Sequence, residues 1–312
     1  MNARLFQGLL ALIAAGCAPE GPEAGGATDA LEITAKTVEI GPGELNGLRL
    51  RGTRVLTAKH PAFGGFSGLI IVSDRLHAVT DAGWWLEAPL EQETDGLELG
   101  MGSFRPLRDT DGAIFDKAGG DAEGLAVQGD EVRIAFERDH RIMTLNAEAR
   151  VVDPVQERAF ETLGSNQGME ALATLPDGGL IAIAEAPDRR GHPVFVWRAG
   201  QLAEDRFVAE DPYYVTGADL GADGRLYVLL RHYSPVSGVR IRIDRFGLTE
   251  AGFPDGASRQ VLGAFESGSG IDNMEGISVW TDADGQARLT LISDNNFNFV
   301  QRTLLMDFEM TD

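Results

Sequence analysis

The chain is a succession of short apolar runs broken by Gly and Asp turns, and one pattern recurs along it. Five segments share a small or acidic first residue, an apolar strand, a Gly/Asp turn, and a second apolar strand ending in a charge. They are SGLIIVSDRLHAVTD (Ser67 to Asp81), EGLAVQGDEVRIAFE (Glu123 to Glu137), EALATLPDGGLIAIAE (Glu170 to Glu185), ADLGADGRLYVLLR (Ala218 to Arg231) and EGISVWTDADGQARLTLISD (Glu275 to Asp294). Their starts lie 56, 47, 48 and 57 residues apart. Further strand-like runs follow, such as VFVWRA (Val194 to Ala199) and VRIRIDRF (Val239 to Phe246). Four short strands in about 50 residues make one blade of a β-propeller. The expectation is therefore an all-β propeller, five-bladed by repeat count. Six blades are the alternative, if another repeat lies within residues 31–65.

Ring closure follows from the strand count. The last repeat supplies a third strand in TLLMDFEM (Thr303 to Met310), after which no sequence remains for a fourth. That fourth strand must come from LEITAKTVEI (Leu31 to Ile40) or RLRGTRVLTA (Arg49 to Ala58). Strands from the two ends of the chain then share one blade, which removes two exposed sheet edges. Residues 31–312 are expected to form this single propeller domain. Trp84, Trp85, Trp197 and Trp280 are expected to pack between blades.

Charge and composition narrow the partners. Against 48 acidic residues stand 27 basic ones, a net charge of −21, so bulk neutralisation of nucleic-acid phosphates is excluded. An electrostatic hold on an anionic membrane is excluded for the same reason. The 39 Gly of 312 residues suit many tight turns, and a single Cys excludes a disulfide framework.

That Cys ends the segment MNARLFQGLLALIAAGC (Met1 to Cys17), with Arg4 before an apolar stretch too short to span a bilayer. Residues 1–17 resemble a lipoprotein signal peptide with Cys17 as the lipidation site, although Ala14 stands where Leu is usual. The alternative is an ordinary secretory peptide. Both predict export; the first predicts a periplasm-facing protein that touches a bacterial membrane only through its lipid. Residues 18–30 (APEGPEAGGATDA) read as a flexible tether.

The candidate chemistry comes from the hairpin ends. The start of strand one and the end of strand two of each repeat must lie at one mouth of the channel. Those positions read Ser67/Asp81, Glu123/Glu137, Glu170/Glu185, Ala218/Arg231 and Glu275/Asp294. So many carboxylates near one axis repel one another unless something offsets their charge. A hard divalent cation, Ca²⁺ foremost, does so with oxygen ligands alone. Glu123, Glu170, Glu275, Asp294 and Asp81 are the expected metal ligands, with Asp272, Asn273, Asn295, Asn296 and Asn298 nearby. Glu137 or Glu185 would act as general base, with Arg138, Arg231 and His140 as further catalytic candidates beside the acids. The alternative is structural: each acid bonds backbone amides and ties one blade to the next. The five His show no zinc-ligand spacing, and the chain lacks a GxSxG elbow.

FGGFSGL (Phe63 to Leu69), DAEGLA (Asp121 to Ala126), FERDHRI (Phe136 to Ile142), GMEALATLPDG (Gly168 to Gly178), TGADLGADGRLYVL (Thr216 to Leu229), IDNMEGISVW (Ile271 to Trp280) and LISDNNFNFVQRTLL (Leu291 to Leu305) resemble the phytase-like family called "esterase-like activity of phytase". The resemblance runs from about residue 45 onward and implies a propeller, export, and hydrolysis of phosphoric or carboxylic esters. It brings no established catalytic residues. Lys is limited to Lys36, Lys59 and Lys117, which points away from a highly phosphorylated substrate. The leading expectation is a calcium-assisted ester hydrolase with its site at the channel mouth and a small ester as its partner. Two alternatives stand beside it: an envelope-tethered, non-enzymatic propeller that binds a protein or ligand and holds a structural metal, and a metal-dependent lactonase.

Overall fold

A computed structural model of the chain describes residues 26–41, 43–165, 167–210 and 212–311. The signal segment with Cys17 and most of the expected tether lie outside the described residues. Thr28–Leu31 is already a strand, paired with Gly102–Pro106, so the sheet structure begins inside the stretch read as tether.

Five antiparallel sheets follow one another around a central axis, which settles the blade count at five. Blade I runs outward from Phe66–Val72 through Arg75–Thr80, Trp84–Glu93 and Gly102–Pro106 to Thr28–Leu31. Blade II is Ala122–Gln128, Glu131–Phe136, Arg141–Leu145 and Val151–Val155. Blade III is Ala171–Thr174, Leu180–Ile183, His192–Arg198 and Gln201–Phe207. Blade IV is Tyr214–Leu220, Leu226–Ser234, Gly238–Leu248 and Pro254–Phe265, with Glu44–Leu45 at its edge. Blade V is Asn273–Thr281, Ala287–Asp294 and Leu304–Met310, completed by Leu48–Ala58 and then Ile33–Thr37. Both candidate closing segments are therefore used, one outside the other. Leu48 to Val55 pairs with Met310 to Leu304 in the clasp. Among the described residues the one helical element is the 3₁₀ turn Arg158–Thr162.

Sheets that are apolar on both faces must be covered on both, and the buried side chains accordingly form five cores, one at each blade interface. Trp84 and Trp280 meet in the core between blades V and I, and Trp85 packs between I and II. Phe160 and Trp197 close the one between II and III.

At the axis, room is the limiting quantity. The inner strands approach so closely that a Cβ on Gly68 would stand 2.4 Å from the Glu123 carbonyl oxygen, and one on Gly217 would stand 2.6 Å from that of Glu275. Backbone cannot give way as a side chain can. Gly68→Ala is thus expected to destabilise the fold by about 1–3 kcal/mol, read by chemical denaturation. An unchanged midpoint would show that the ring widens freely.

Candidate functional site at the acidic mouth

The hairpin registers place the ends of the repeats at one mouth: Phe66 opposes Thr80, Ala122 opposes Phe136, Ala171 opposes Ile183, and Asn273 opposes Asp294. Just inside it, four inner strands carry a register shift that begins at a residue dropped from the ladder. Those residues are Ser67, Glu123, Thr216 and Glu275, each followed by glycine. Glu170 immediately precedes the inner strand of blade III and takes the corresponding place. A bulge re-aims its side chain, here toward the axis. In repeat four the mouth position is therefore Thr216; Ala218 lies within the ladder, opposite Val228. The two hydroxyls tie neighbouring inner strands: Ser67 Oγ donates to the Ala122 carbonyl at 2.5 Å and Thr216 Oγ1 to that of Met274 at 3.1 Å. Glutamates occupy the other three places.

These glutamates differ in their partners. Glu123 and Glu170 are only 7% and 9% exposed, yet no protein group among the described residues donates a hydrogen bond to either carboxylate. Glu275 accepts from Arg231 and, at 2.8 Å, from Asn273 Nδ2. Arg231 also reaches Glu185 at 3.3 Å and bonds Asn273 Oδ1, bridging blades III, IV and V. Arg138 bonds Asp121. Glu137 accepts the Gly168 amide at 3.1 Å. Asp294 accepts the Asn296 amide at 2.6 Å. Asp81 keeps a buried Oδ1 with no partner, in a place that exists because residue 65 is glycine: a Cβ there would lie 2.2 Å from that oxygen.

Electrostatics follow from this layout. Burial, then the neighbouring carboxylates, hold Glu123 and Glu170 well above the ordinary carboxylate range. Asp294 is raised in the same way, chiefly by burial and then by Glu275 and Asp81. Burial lifts Asp81 and Glu137 to about 7. Glu185, Glu275 and Asp121 are raised by burial, while Arg231 or Arg138 opposes the shift. The mouth is therefore a ring of mutually repelling acids, offset by Arg231 on the side of blades IV and V and by Arg138, bonded to Asp121, on the side of blade II, with Glu123 and Glu170 bonded by neither.

On the blade II side, carboxylate oxygens of Asp121, Glu123 and Glu137 lie within 4.8 Å of one another, a spacing that one cation can span. Of the five expected ligands, Glu123 belongs to this cluster and Glu170 adjoins it. Glu275 is tied to Arg231, and Asp81 and Asp294 form the blade I and V side of the ring. Glu137, expected as a base, lies in the cluster itself, whereas Glu185 stands with Arg231. His140 faces away from the ring: its Nε2 bonds the Gly164 carbonyl at 3.0 Å. The reason is local, since Arg138 has φ +64° and so turns back onto Asp121 while His140 projects outward. Asp121 was not among the expected site residues. Its signal is the DAE spacing, which sets two acids two residues apart at the entrance to a strand.

An acidic five-bladed propeller with its carboxylates gathered at one mouth is the class that fold and site define. A family model described as "Phytase-like: Esterase-like activity of phytase" matches residues 61–297. The chain belongs to that phytase-like family. No curated protein sequence matches it. Among solved structures, a candidate gluconolactonase is similar at 12% identity and TM-score 0.45, covering 90% of this chain and 94% of that one. A protein of unknown function from Dyadobacter fermentans matches at 12% identity and TM-score 0.42, covering 91% and 96%. Hydrazine synthase of Kuenenia stuttgartiensis matches at 13% and 0.40, over 74% and 77%. Likenesses of this size carry no chemistry across.

Proposed function

We propose that the protein is a calcium-assisted ester hydrolase whose site is the acidic mouth. One observation carries the reading: Glu123 and Glu170 are buried carboxylates without a protein donor, beside a cluster with the spacing of a cation site. Burial raises both carboxyls, and a cation in place of the missing protein donors would offset that cost. The donor set is all oxygen, which suits a hard cation and not zinc or copper. The orphaned Asp81 Oδ1 fits the same demand.

Asp121, Glu123 and Glu137 would hold the ion, with Glu170 adjoining. Calcium, when bound, would neutralise the ring and polarise the oxygen of an ester. Glu185 lies next to this set with 20% of its side chain exposed and its pKa raised, as suits a general base at neutral pH. It takes a proton from the attacking water. The water oxygen bonds the acyl or phosphoryl centre, the ester bond to the alcohol oxygen breaks, and the proton passes to the leaving alkoxide. Acid and alcohol are the products. Arg231 fixes Glu185 and places a positive charge beside the developing oxyanion. Export and lipid anchoring through Cys17 complete the reading and rest on residues 1–17 alone.

The test is hydrolysis of p-nitrophenyl acetate and p-nitrophenyl phosphate by the full chain, with calcium or with chelator. Turnover of one of them is expected, lost on chelation and reduced about 10²–10⁴-fold by Glu185→Gln. Because Glu185 must be ionised, the rate should rise with pH on a limb above the ordinary carboxylate range. Calcium binding without turnover of either ester would instead leave a binding propeller.

A further inference from the structure

The loop that leaves the second strand of blade V at the mouth holds an aromatic side chain in water. Phe299 is 99% exposed and Val300 67%, on a loop that is firmly braced. Asn296 and Phe297 both have φ +48°, a left-handed pair that such residues keep only when their surroundings hold them. Asn295 Oδ1 accepts the Phe297 amide at 3.1 Å, and Asn298 Oδ1 accepts that of Val300 at 3.2 Å. Phe297 covers Gly65, where a Cβ would stand 2.8 Å from its ring. Phe299, two residues on, is left outside.

This tip lies beside the place where the chain enters the fold. The Gly65 amide bonds Asn295 Oδ1 at 3.1 Å and so joins the loop to residues 59–65, the connector between blades V and I. In that connector His60 Nε2 bonds the Gly26 carbonyl at 3.4 Å. Gly26, the first of the described residues, therefore stands on the mouth side, just before the strand Thr28–Leu31. From Cys17 to Gly26 is a chain contour of at most ~30 Å. Blade I is about 23 Å tall by the length of Phe66–Val72. To turn the opposite face to a bilayer, about three-quarters of that contour would have to run back along the blade.

A second tip stands on the neighbouring blade. Val236 is 99% exposed in the turn between Leu226–Ser234 and Gly238–Leu248, at the same mouth. Residues 266–272, the connector into blade V, touch both loops: Gly238 packs against Ser267, and the Arg302 amide bonds Asp272 Oδ2 at 2.9 Å. Separate apolar tips suit a fluid bilayer, whose chains close around each of them, whereas a protein interface needs a continuous apolar core. The net charge of −21 selects uncharged or zwitterionic headgroups.

We infer that the mouth face docks on a lipid bilayer, with Phe299, Val300 and Val236 entering the headgroup boundary while Cys17 holds the chain to the same leaflet. The inference rests on the lipid anchor of the reading above and adds the face and the residues. The acidic mouth then opens toward the bilayer.

Fluorescence quenching from within the bilayer tests this. With Cys17 capped by its lipid the chain has no free thiol, so one introduced by substitution is the only one to label. Phe299→Cys, Val236→Cys and, on the opposite face, Val72→Cys are purified from bacterial membranes, labelled with bimane and placed on phosphatidylcholine vesicles. All three positions face solvent, so melting temperatures should match the wild type. A nitroxide carried near the lipid headgroup should quench the labels at 299 and 236 at least about threefold more than the label at 72, since docked tips sit about 5–10 Å deep. The mass of each chain reports the lipid on Cys17 separately. Lipid present with equal quenching at all three sites would overturn the inference and leave the anchor standing. No lipid on Cys17 would remove the anchor and the inference together. A label at 299 that is shielded in native membranes but unquenched on vesicles would assign this face to a protein instead.

Discussion

Glu123→Gln combined with Glu170→Gln is expected to raise the melting temperature of the calcium-free protein and, in the same molecule, to abolish its response to calcium. Both effects come from one cause. The two carboxylates are bonded by no protein donor and are pushed up first by burial and then by neighbouring acids, Glu170 and Asp121 acting on Glu123, Glu185 on Glu170, and Glu275 and Glu137 on both. Amides of the same shape remove that repulsion. They also remove ligands whose charge is what holds a cation, so calcium affinity should fall on the order of 10²-fold or more. Calorimetric titration with calcium and thermal melts in chelator measure the two halves. If instead these glutamates staple blades together, the same variant should melt lower in chelator. The two readings therefore differ in sign, and a single melt separates them.

The second large effect is one of pH. A carboxyl whose pKa is raised on folding binds its proton more tightly in the folded state. Its favourable contribution is complete below the unfolded pKa of ~4 and is lost as pH rises through the folded value. For Asp81 and Glu137 that value is about 7, so the calcium-free protein should lose stability between pH 4 and pH 7. Shared protons and partial access to water moderate the sum, leaving a loss of several kcal/mol across the window. Saturating calcium should flatten the slope at neutral pH, because the ion takes the place of the protons and releases them to the buffer. Denaturation midpoints at pH 5 and pH 7.5, with and without calcium, test this. Equal midpoints at the two pH values in chelator would falsify it.

The hairpins were legible because each carries its own evidence: an apolar run, a turn and a second run need no knowledge of the rest of the fold. The carboxylate ring was legible for a related reason, since antiparallel pairing brings the two ends of each hairpin to one mouth, although in blade V the residue opposite Asp294 is Asn273 and not the expected Glu275. What was hidden depends on contacts between blades or on local backbone. Repeat four slipped by two residues because apolar runs align on their turns, whereas the mouth position is set by a bulge before Gly217. The pairing of Arg231 with Glu185 and Glu275 crosses three blades, and no spacing along the chain encodes it. Asp121 sat outside the repeat as read, and His140 was drawn in by its neighbours until the left-handed turn at Arg138 directed it away.

The clasp in blade V carries a consequence for the order of events in time. Leu48–Ala58 is made before the inner strands of blades I to IV, but its partner Leu304–Met310 is made only after them. Until then the early strand has one neighbour, Ile33–Thr37, and an open row of backbone donors and acceptors on its other side. Blades II, III and IV can each pair their own four strands as they emerge, while blade V must wait until Leu304–Met310 has been made. The ring therefore closes where Leu48–Ala58 meets Leu304–Met310, and that late, long-distance pairing sets a slow step on folding and a latch on unfolding.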